Sequence, residues 1–345
     1  MRPQFDFPHV AVIGAGIAGA ACAKGLVAGG CRVTLFDKSR GVGGRLATRR
    51  ARVVDAQEQP VVDAAFDHGA PSFRAHSPRF GAVLARVETA GVVQRWRPRV
   101  YSDRVRPAYG EVFTSVPATP ALVKHELEGL PRHLGHAVQG LSRRDDGWFV
   151  EREGQDDAGP FDAVVLAMPP RQAAALLKPH QADWAQGLAA TRMSACWALM
   201  AVTDDVPWPW DAAELSRGAL SWIARADRTP GRERTTGRVH WVAHASAAWS
   251  AAHLEETPAA VAEALTAELQ KWLPRERAGG EPVAWLHARA HRWRFAQPLD
   301  EGRGPLWDAA LGLGVCGDAL GVTAPTASPV EAAWRSGDEL ADQMA

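Results

Sequence analysis

Three glycines and one acid near the N-terminus have the spacing of a site for the phosphates of a nucleotide. Gly14, Gly16 and Gly19 follow a short apolar run, and Asp37 ends the next apolar run. The first glycine allows a tight turn, the second lets a pyrophosphate approach the backbone, and the third lets a helix pack closely on a strand. The phosphates then lie at the positive end of that helix. Because Asp37 would bind a ribose diol and repel a 2′-phosphate, the pattern favours FAD or NAD over NADP.

A strand, a helix and a second strand are needed to position these residues. Residues 9–13 and 31–36 are apolar and rich in β-branched side chains, and an alanine-rich stretch lies between them. The pattern predicts a βαβ unit of the dinucleotide-binding type, with the glycines in its first turn.

The segment after Asp37 distinguishes FAD from NAD. Residues 38–45 have the sequence Lys-Ser-Arg-Gly-Val-Gly-Gly-Arg, and their amides and Arg45 can form a second anion site against the same pyrophosphate. We expect a helix after this loop. Here the chain resembles the FAD-binding branch of the Rossmann flavoenzymes, the glutathione-reductase-like and amine-oxidase-like group, whose Gly-Gly-Arg loop simple NAD dehydrogenases lack.

Composition sets limits on the class of protein. The 345 residues suffice for about two domains, and 39 basic and 39 acidic residues give no net charge. We therefore expect neither nucleic acid nor a membrane as a partner. Glycines and Lys24 interrupt the apolar N-terminal run, so we expect a cytoplasmic protein without a signal peptide. The four scattered cysteines predict reduced thiols.

The hydrophobic pattern further along the chain predicts alternating helices and strands. Helices are predicted over 79–90, 117–129, 171–177, 258–272 and 329–344. Strands are predicted near 92–96, 112–116, 161–167, 195–202, 220–224, 239–245, 283–291 and 311–316, with a hairpin over 136–153 and surface linkers at 208–210 and 225–234. The predicted fold class is α/β, a Rossmann-like FAD-binding domain of the Gly-Gly loop branch with a second, α+β substrate domain. We assign residues 1–70, 131–180 and 311–345 to the first domain, and residues 71–130 and 181–310 to the second.

Matching strings over nearly the whole chain resemble the bacterial renalases, small members of the amine-oxidase-like flavoproteins. The most specific are Leu-Phe-Asp-Lys-Ser-Arg-Gly at 35–41 and His-Arg-Trp at 291–293. Others lie at 43–45, 67–73, 165–169, 244–250, 315–318 and 330–337. The resemblance implies an oxidase with non-covalent FAD. Such an enzyme takes hydride from 2- or 6-dihydronicotinamide dinucleotides at flavin N5 and passes the electrons to O2, giving H2O2.

The same resemblance implies roles for particular residues. An Asp-x-Gly turn at 67–69 would lie beside the flavin, Asp318 would bind near the ribitol, and the helix start at 330–332 would point at the flavin pyrimidine. Trp293 and His244 would contact the substrate, and Arg292 or Arg225 would bind a phosphate or carboxylate. The full set of expected cofactor contacts is Gly14, Gly16, Ile17, Ala18, Gly19, Asp37, Lys38, Arg40, Gly43, Gly44, Arg45, Asp67, His68, Gly69, Ala70, Val138, Ala167, Gly317, Asp318, Val330, Glu331 and Ala332.

Departures from the renalase pattern leave other functions open. His68 stands where the family usually has methionine, Pro71 and Ser72 where it has Gln-Tyr, and Ala226 where it has asparagine. The link from Asp318 to Val330 is also longer than in the family. A flavin amine oxidase or desaturase-like enzyme, and an FAD-binding protein without turnover, are therefore alternatives, and the small-molecule substrate is a dinucleotide or an amine. We expect no metal, because the i,i+4 histidine pairs 240/244 and 287/291 fall in predicted strands.

Overall fold

The N-terminal βαβ unit is present as predicted. In a computed structural model, which describes residues 8–54, 58–104, 109–277, 279–321 and 328–345, the chain begins with β1 (His9–Ile13), α1 (Ile17–Ala28) and β2 (Arg32–Asp37). The two strands are parallel, with Val12 opposite Leu35. Residues Val10 to Ile13 are buried, as expected for a parallel strand covered on both faces.

The prediction of a helix after residue 45 is wrong. The chain instead forms β3 (Thr48–Val54) and β4 (Pro60–Asp67), an antiparallel ribbon in which Val53 pairs with Val62. Ala51 and Val53 alternate with exposed arginines, a period of two that places the apolar side chains on one face of a strand. That face packs on Met200 and Val242 further along the chain.

The remaining elements follow the predicted order closely. The middle of the chain contains α2 (Pro78–Thr89), β5 (Val93–Trp96), β6 (Val100–Ser102), β7 (Val112–Ser115), α3 (Ala121–Glu126), β8 (Arg132–Leu134), β9 (Val138–Arg144), β10 (Gly147–Arg152), β11 (Ala158–Phe161), β12 (Ala163–Leu166) and α4 (Pro170–Leu177). The rest contains α5 (Ala182–Ala190), β13 (Met193–Asp204), β14 (Ala212–Glu214), β15 (Leu220–Arg225), β16 (Arg238–Ala245), α6 (Ala247–Ala252), α7 (Pro258–Gln270), β17 (Trp285–Pro298), β18 (Leu306–Asp308), β19 (Leu313–Val315) and α8 (Pro329–Met344).

Two six-stranded sheets organise these elements and confirm the predicted fold class. The first has the order β18-β19-β12-β1-β2-β8 and is parallel apart from β18. The second has the order β17-β13-β16-β15-β14-β6, with α7 on one face and the β3–β4 ribbon on part of the other. The residue boundaries of the two domains stay a prediction; β18 lies in the first sheet.

The prediction of a surface linker at 225–234 is wrong for its first half, whereas residues 231, 233 and 234 are exposed. Arg225, Ala226, Asp227 and Thr229 are buried. Burial is possible because Arg225 pairs with Asp227 at 3.1 Å, and paired charges can leave water where single ones cannot. Within the described residues, no helix is both long and apolar enough to cross a membrane.

Candidate functional site

The glycines of the first turn divide into two that packing requires and one that faces open space. Gly14 has φ +115°, and a Cβ there would lie 2.1 Å from the Ala167 carbonyl oxygen. A Cβ on Gly19 would lie 1.9 Å from the Gly14 oxygen. At Gly16 the nearest atom to a Cβ would be the Gly44 Cα, at 3.8 Å. The described residues therefore leave the space above Gly16 free.

This free space fits the pyrophosphate of FAD. Gly16 begins α1 without a capping side chain, so the first amides of the helix are available to an anion. The second loop lies against the first, because the Gly43 amide donates to the Ala15 carbonyl at 2.8 Å. Asp37 ends β2, where its carboxylate accepts the amides of Ala15 at 2.8 Å and Ser39 at 2.7 Å. The carboxylate is thus held beside the turn, where a ribose diol of the adenosine half would lie.

Arg45 joins the loop to the C-terminal part of the chain. Its guanidinium donates to both carboxylate oxygens of the buried Asp318, at 2.6 and 2.7 Å, and to the Ala296 carbonyl on β17 at 2.9 Å. A bidentate pair of this kind fixes geometry as well as charge. Arg45 therefore holds the loop, the residue expected near the ribitol and the second sheet in one arrangement.

Side chains of the protein donate hydrogen bonds to the carboxylate of Asp67. Its carboxylate accepts from Arg232 Nε at 2.6 Å, from the Thr119 hydroxyl at 2.9 Å and from the Thr48 hydroxyl. Sequence reasoning missed Arg232, which lies in the supposed linker; the only available signal was that a buried acid needs a partner. The turn also fixes Gly69, because a Cβ there would lie 1.9 Å from the Arg45 carbonyl oxygen.

The carbonyl of His68, just after the end of β4, joins the β3–β4 ribbon to the second sheet. It accepts hydrogen bonds from His244 Nε2 at 3.2 Å and from Trp293 Nε1 at 2.9 Å. The His68 ring stacks on Trp293, with 5.1 Å between ring centroids, and meets His291 edge-on at 4.8 Å. We call His68, His244, His291 and Trp293 the His–Trp cluster. The sequence predicted three of its members, and His291 was missed.

The His–Trp cluster is electrically neutral near pH 7. Burial, reinforced by the nearby His291, lowers the pKa of His68 to about 4. Burial also lowers the pKa of His244 to about 4 and lowers that of His291. His68 Nδ1 is buried and has no hydrogen-bond partner in the described part of the chain. The cluster therefore consists of neutral rings and contains one buried polar atom without a partner among the described residues.

Arg292 and Arg225 do not line the cluster, which corrects the expectation from sequence. Successive side chains of a strand point to opposite faces, so Arg292 lies on the other face of the sheet from Trp293. Arg292 donates to the Leu254 carbonyl at 2.6 Å and lies over the Trp197 ring. Arg225 pairs with Asp227 and lies over the Trp241 ring, on the face of the sheet that α7 covers.

The start of α8 is tied to the segment before α2. Ser328 accepts the Val330 amide at 3.3 Å, and the buried Glu331 carboxylate accepts the amides of His76 and Ser77 at 2.8 and 2.6 Å. Burial by itself would raise the pKa of Glu331, but these hydrogen bonds outweigh it and lower the pKa. Much of the link that precedes α8, residues 322–327, lies outside the described residues.

The other predicted cofactor contacts lie around these groups. Ile17 and Ala18 are buried at the start of α1, Lys38 and Arg40 are exposed in the second loop, Ala70 donates its amide to Arg45, Val138 packs against the first sheet, Gly317 donates its amide to Ser336, and Ala332 is buried in α8.

Comparison with known proteins places this site in a family. Residues 12–87 match the model of an NAD(P)-binding Rossmann-like domain, and residues 109–345 match that of the flavin containing amine oxidoreductases. The solved structures with a similar fold include reduced UDP-galactopyranose mutase, at 9% identity with a TM-score of 0.69 over 97% of this chain and 95% of that one. A double mutant of putrescine oxidase (14% identity) and cyclohexylamine oxidase from Brevibacterium oxydans (12%) each have a TM-score of 0.67 over 98% of both chains. These identities show a common fold only. The match over residues 109–345 shows more: the chain belongs to the flavin-containing amine oxidoreductase family, as a flavin-dependent oxidoreductase whose cofactor is FAD.

Proposed function

We propose that this oxidoreductase is a renalase-type oxidase, which takes hydride from 2- or 6-dihydronicotinamide dinucleotides and reduces O2 to H2O2. The neutral His–Trp cluster, where the end of β4 meets the second sheet, is the observation that carries the proposal. A dihydronicotinamide ring is flat and uncharged, and its oxidation by hydride transfer needs no side-chain base. Bound FAD supplies the chemistry, accepting the hydride at N5 and passing two electrons to O2.

The chain's own residues would bind and orient the reactants. Gly16, the loop at 38–45 and Arg45 fit the dinucleotide part of FAD, while the cluster would form a wall of the substrate site. Trp293 would stack on the flat ring, and the unused Nδ1 of His68 could hydrogen-bond to a polar group of the bound reactants. Such positioning can account for a large part of a rate enhancement, because reacting atoms held together no longer pay the entropy of encounter.

Oxidation of an amine is the second candidate, and the family match favours it. Two of the solved structures with this fold are a putrescine oxidase and a cyclohexylamine oxidase. The aromatic and imidazole rings of the cluster could surround a neutral amine. Asp67, the acid next to His68 in the chain, is paired with Arg232, so it offers no free charge to an alkylammonium ion.

Anaerobic rapid mixing separates the two candidates. FAD-loaded protein is mixed separately with 2-, 4- and 6-dihydro-NAD, with putrescine and with cyclohexylamine, and flavin absorbance is followed at about 450 nm. We expect fast bleaching by the 2- or 6-dihydro isomer and peroxide when air is admitted. Bleaching by an amine and by none of the dihydronicotinamides would replace the proposal with an amine oxidase.

A pair of tryptophan variants links the reaction to the cluster. Trp293→Leu should slow bleaching, because it removes the ring that stacks on His68. Trp210→Leu is the matched control, since Trp210 is an exposed tryptophan outside the cluster. Equal rates in the two variants would contradict a role for the cluster.

A further inference from the structure

Arg49 places a positive charge at the edge of the His–Trp cluster. It lies opposite Phe66 in the β3–β4 ribbon, and Phe66 stacks on His287 of β17 with 5.8 Å between ring centroids. Opposed residues of an antiparallel pair project from the same face, so Arg49 projects towards the second sheet. It is exposed and has no ion pair within the described residues. Its charge also contributes to the lowered pKa values of His68 and His291.

Arg289 adds a second positive charge on the same side. His287, Arg289, His291 and Trp293 alternate along β17 without a change of register, and so they share one face of the sheet. Arg289 is exposed, and it too has no acidic partner among the residues that the structure describes. We call Arg49 and Arg289 the arginine rim.

Nearby acids do not neutralise the arginine rim. Asp67, the acid next to His68 in the chain, pairs with Arg232, and Glu255 pairs with Arg292 and Arg294 on the other face of the sheet. The rim therefore keeps a net positive charge next to a neutral cluster. Positive charge of this kind attracts anions and repels cations.

We infer that the arginine rim binds the phosphates of the substrate, so that this face takes an anionic dinucleotide. The inference rests on the proposed function, which places the reacting ring at Trp293. Arg289 precedes Trp293 by four residues, which corresponds to about 13 Å at about 3.3 Å per residue. A ligand that reaches both is long and carries its negative charge away from the ring. A small amine reaches only the cluster and is repelled by the rim when protonated.

Calorimetric titration with ADP-ribose tests the rim without turnover. Fully FAD-loaded protein is used, so that the Rossmann site is already filled. Arg49→Gln and Arg289→Gln should each weaken ADP-ribose binding about tenfold, which corresponds to about 1.4 kcal/mol. They should also reduce its dependence on salt. Arg50→Gln is the matched control, because Arg50 is an exposed arginine on the opposite face of the same strand; it should change affinity less than twofold.

The outcomes separate this inference from the proposed function. Three results would each contradict phosphate binding by the rim, even if a dihydronicotinamide bleaches the flavin. They are failure of the wild type to bind ADP-ribose, unchanged affinity in both rim variants, and an equal loss of affinity in Arg50→Gln. Conversely, rim-dependent binding of ADP-ribose without bleaching by any dihydronicotinamide would support phosphate binding by the rim and reject the proposed electron donor.

Discussion

Substitution of Gly16 by alanine should remove FAD and leave the protein folded. The backbone at Gly16 has φ −84°, a value that alanine adopts readily. Among the residues that the structure describes, the new methyl group would meet only the Gly44 Cα, at 3.8 Å, which is an ordinary van der Waals contact. It would stand instead in the space that fits the pyrophosphate. Forcing a methyl group into a filled site costs about 1–3 kcal/mol, so FAD should bind about 5- to 150-fold more weakly.

The assay measures binding and folding separately. FAD content follows from the ratio of flavin to protein absorbance, and the dissociation constant follows from quenching of FAD fluorescence by the apoprotein. Circular dichroism reports the fold. Gly19→Ala is the contrasting variant, because its methyl group would lie 1.9 Å from the Gly14 carbonyl oxygen and should impair folding itself. Stoichiometric FAD with unchanged affinity in folded Gly16→Ala would refute the assignment of this space to the pyrophosphate.

Three further predictions follow from buried charges and from strand geometry. Arg232→Ala leaves Asp67 buried without its ionic partner and should lower the free energy of unfolding by about 3–5 kcal/mol; a loss below about 1 kcal/mol in urea titration would contradict this. The pKa of His68 is about 4 in the folded protein and about 6.5 when unfolded, so its contribution to stability is complete above about pH 6.5. It is lost towards pH 4, by up to about 3 kcal/mol, and His68→Met should flatten the pH dependence of the urea midpoint. Arg292→Ala should leave the rate of flavin bleaching unchanged, whereas Trp293→Leu should lower it about tenfold or more.

The dinucleotide motif was predictable because its physics is local. A tight turn, a close approach and a helix start depend on residues a few positions apart, so Gly14, Gly16 and Gly19 could be assigned from spacing alone. Strand β3 was not predicted. A helix was expected there because the segment follows the glycine loop, without regard to the period of two in its own sequence. The alternation of Ala51 and Val53 with arginines carried the correct signal.

The contacts that close the site were not predictable in the same way, because they join distant segments. The His68 carbonyl accepts hydrogen bonds from residues 176 and 225 positions further along the chain. No pattern in the sequence around Arg232 indicated that it would pair with Asp67, at the end of β4. Burial of Asp67 required some partner, but its identity depended on how the second sheet packs on the ribbon.

Strand parity excludes Arg292 from the cluster only once the extent of β17 is known. The predicted strand at 283–291 ended before Trp293, and so Arg292 and Trp293 could both be assigned to the substrate. The observed strand continues to Pro298, and neighbours in a strand cannot face the same side. Trp293 binds the His68 carbonyl. Because alternate side chains of a strand share a face, His291 and Arg289 lie on the same face as Trp293, and Arg292 lies on the other. The same step that corrects the assignment also brings to this face the charge that a dinucleotide substrate would need.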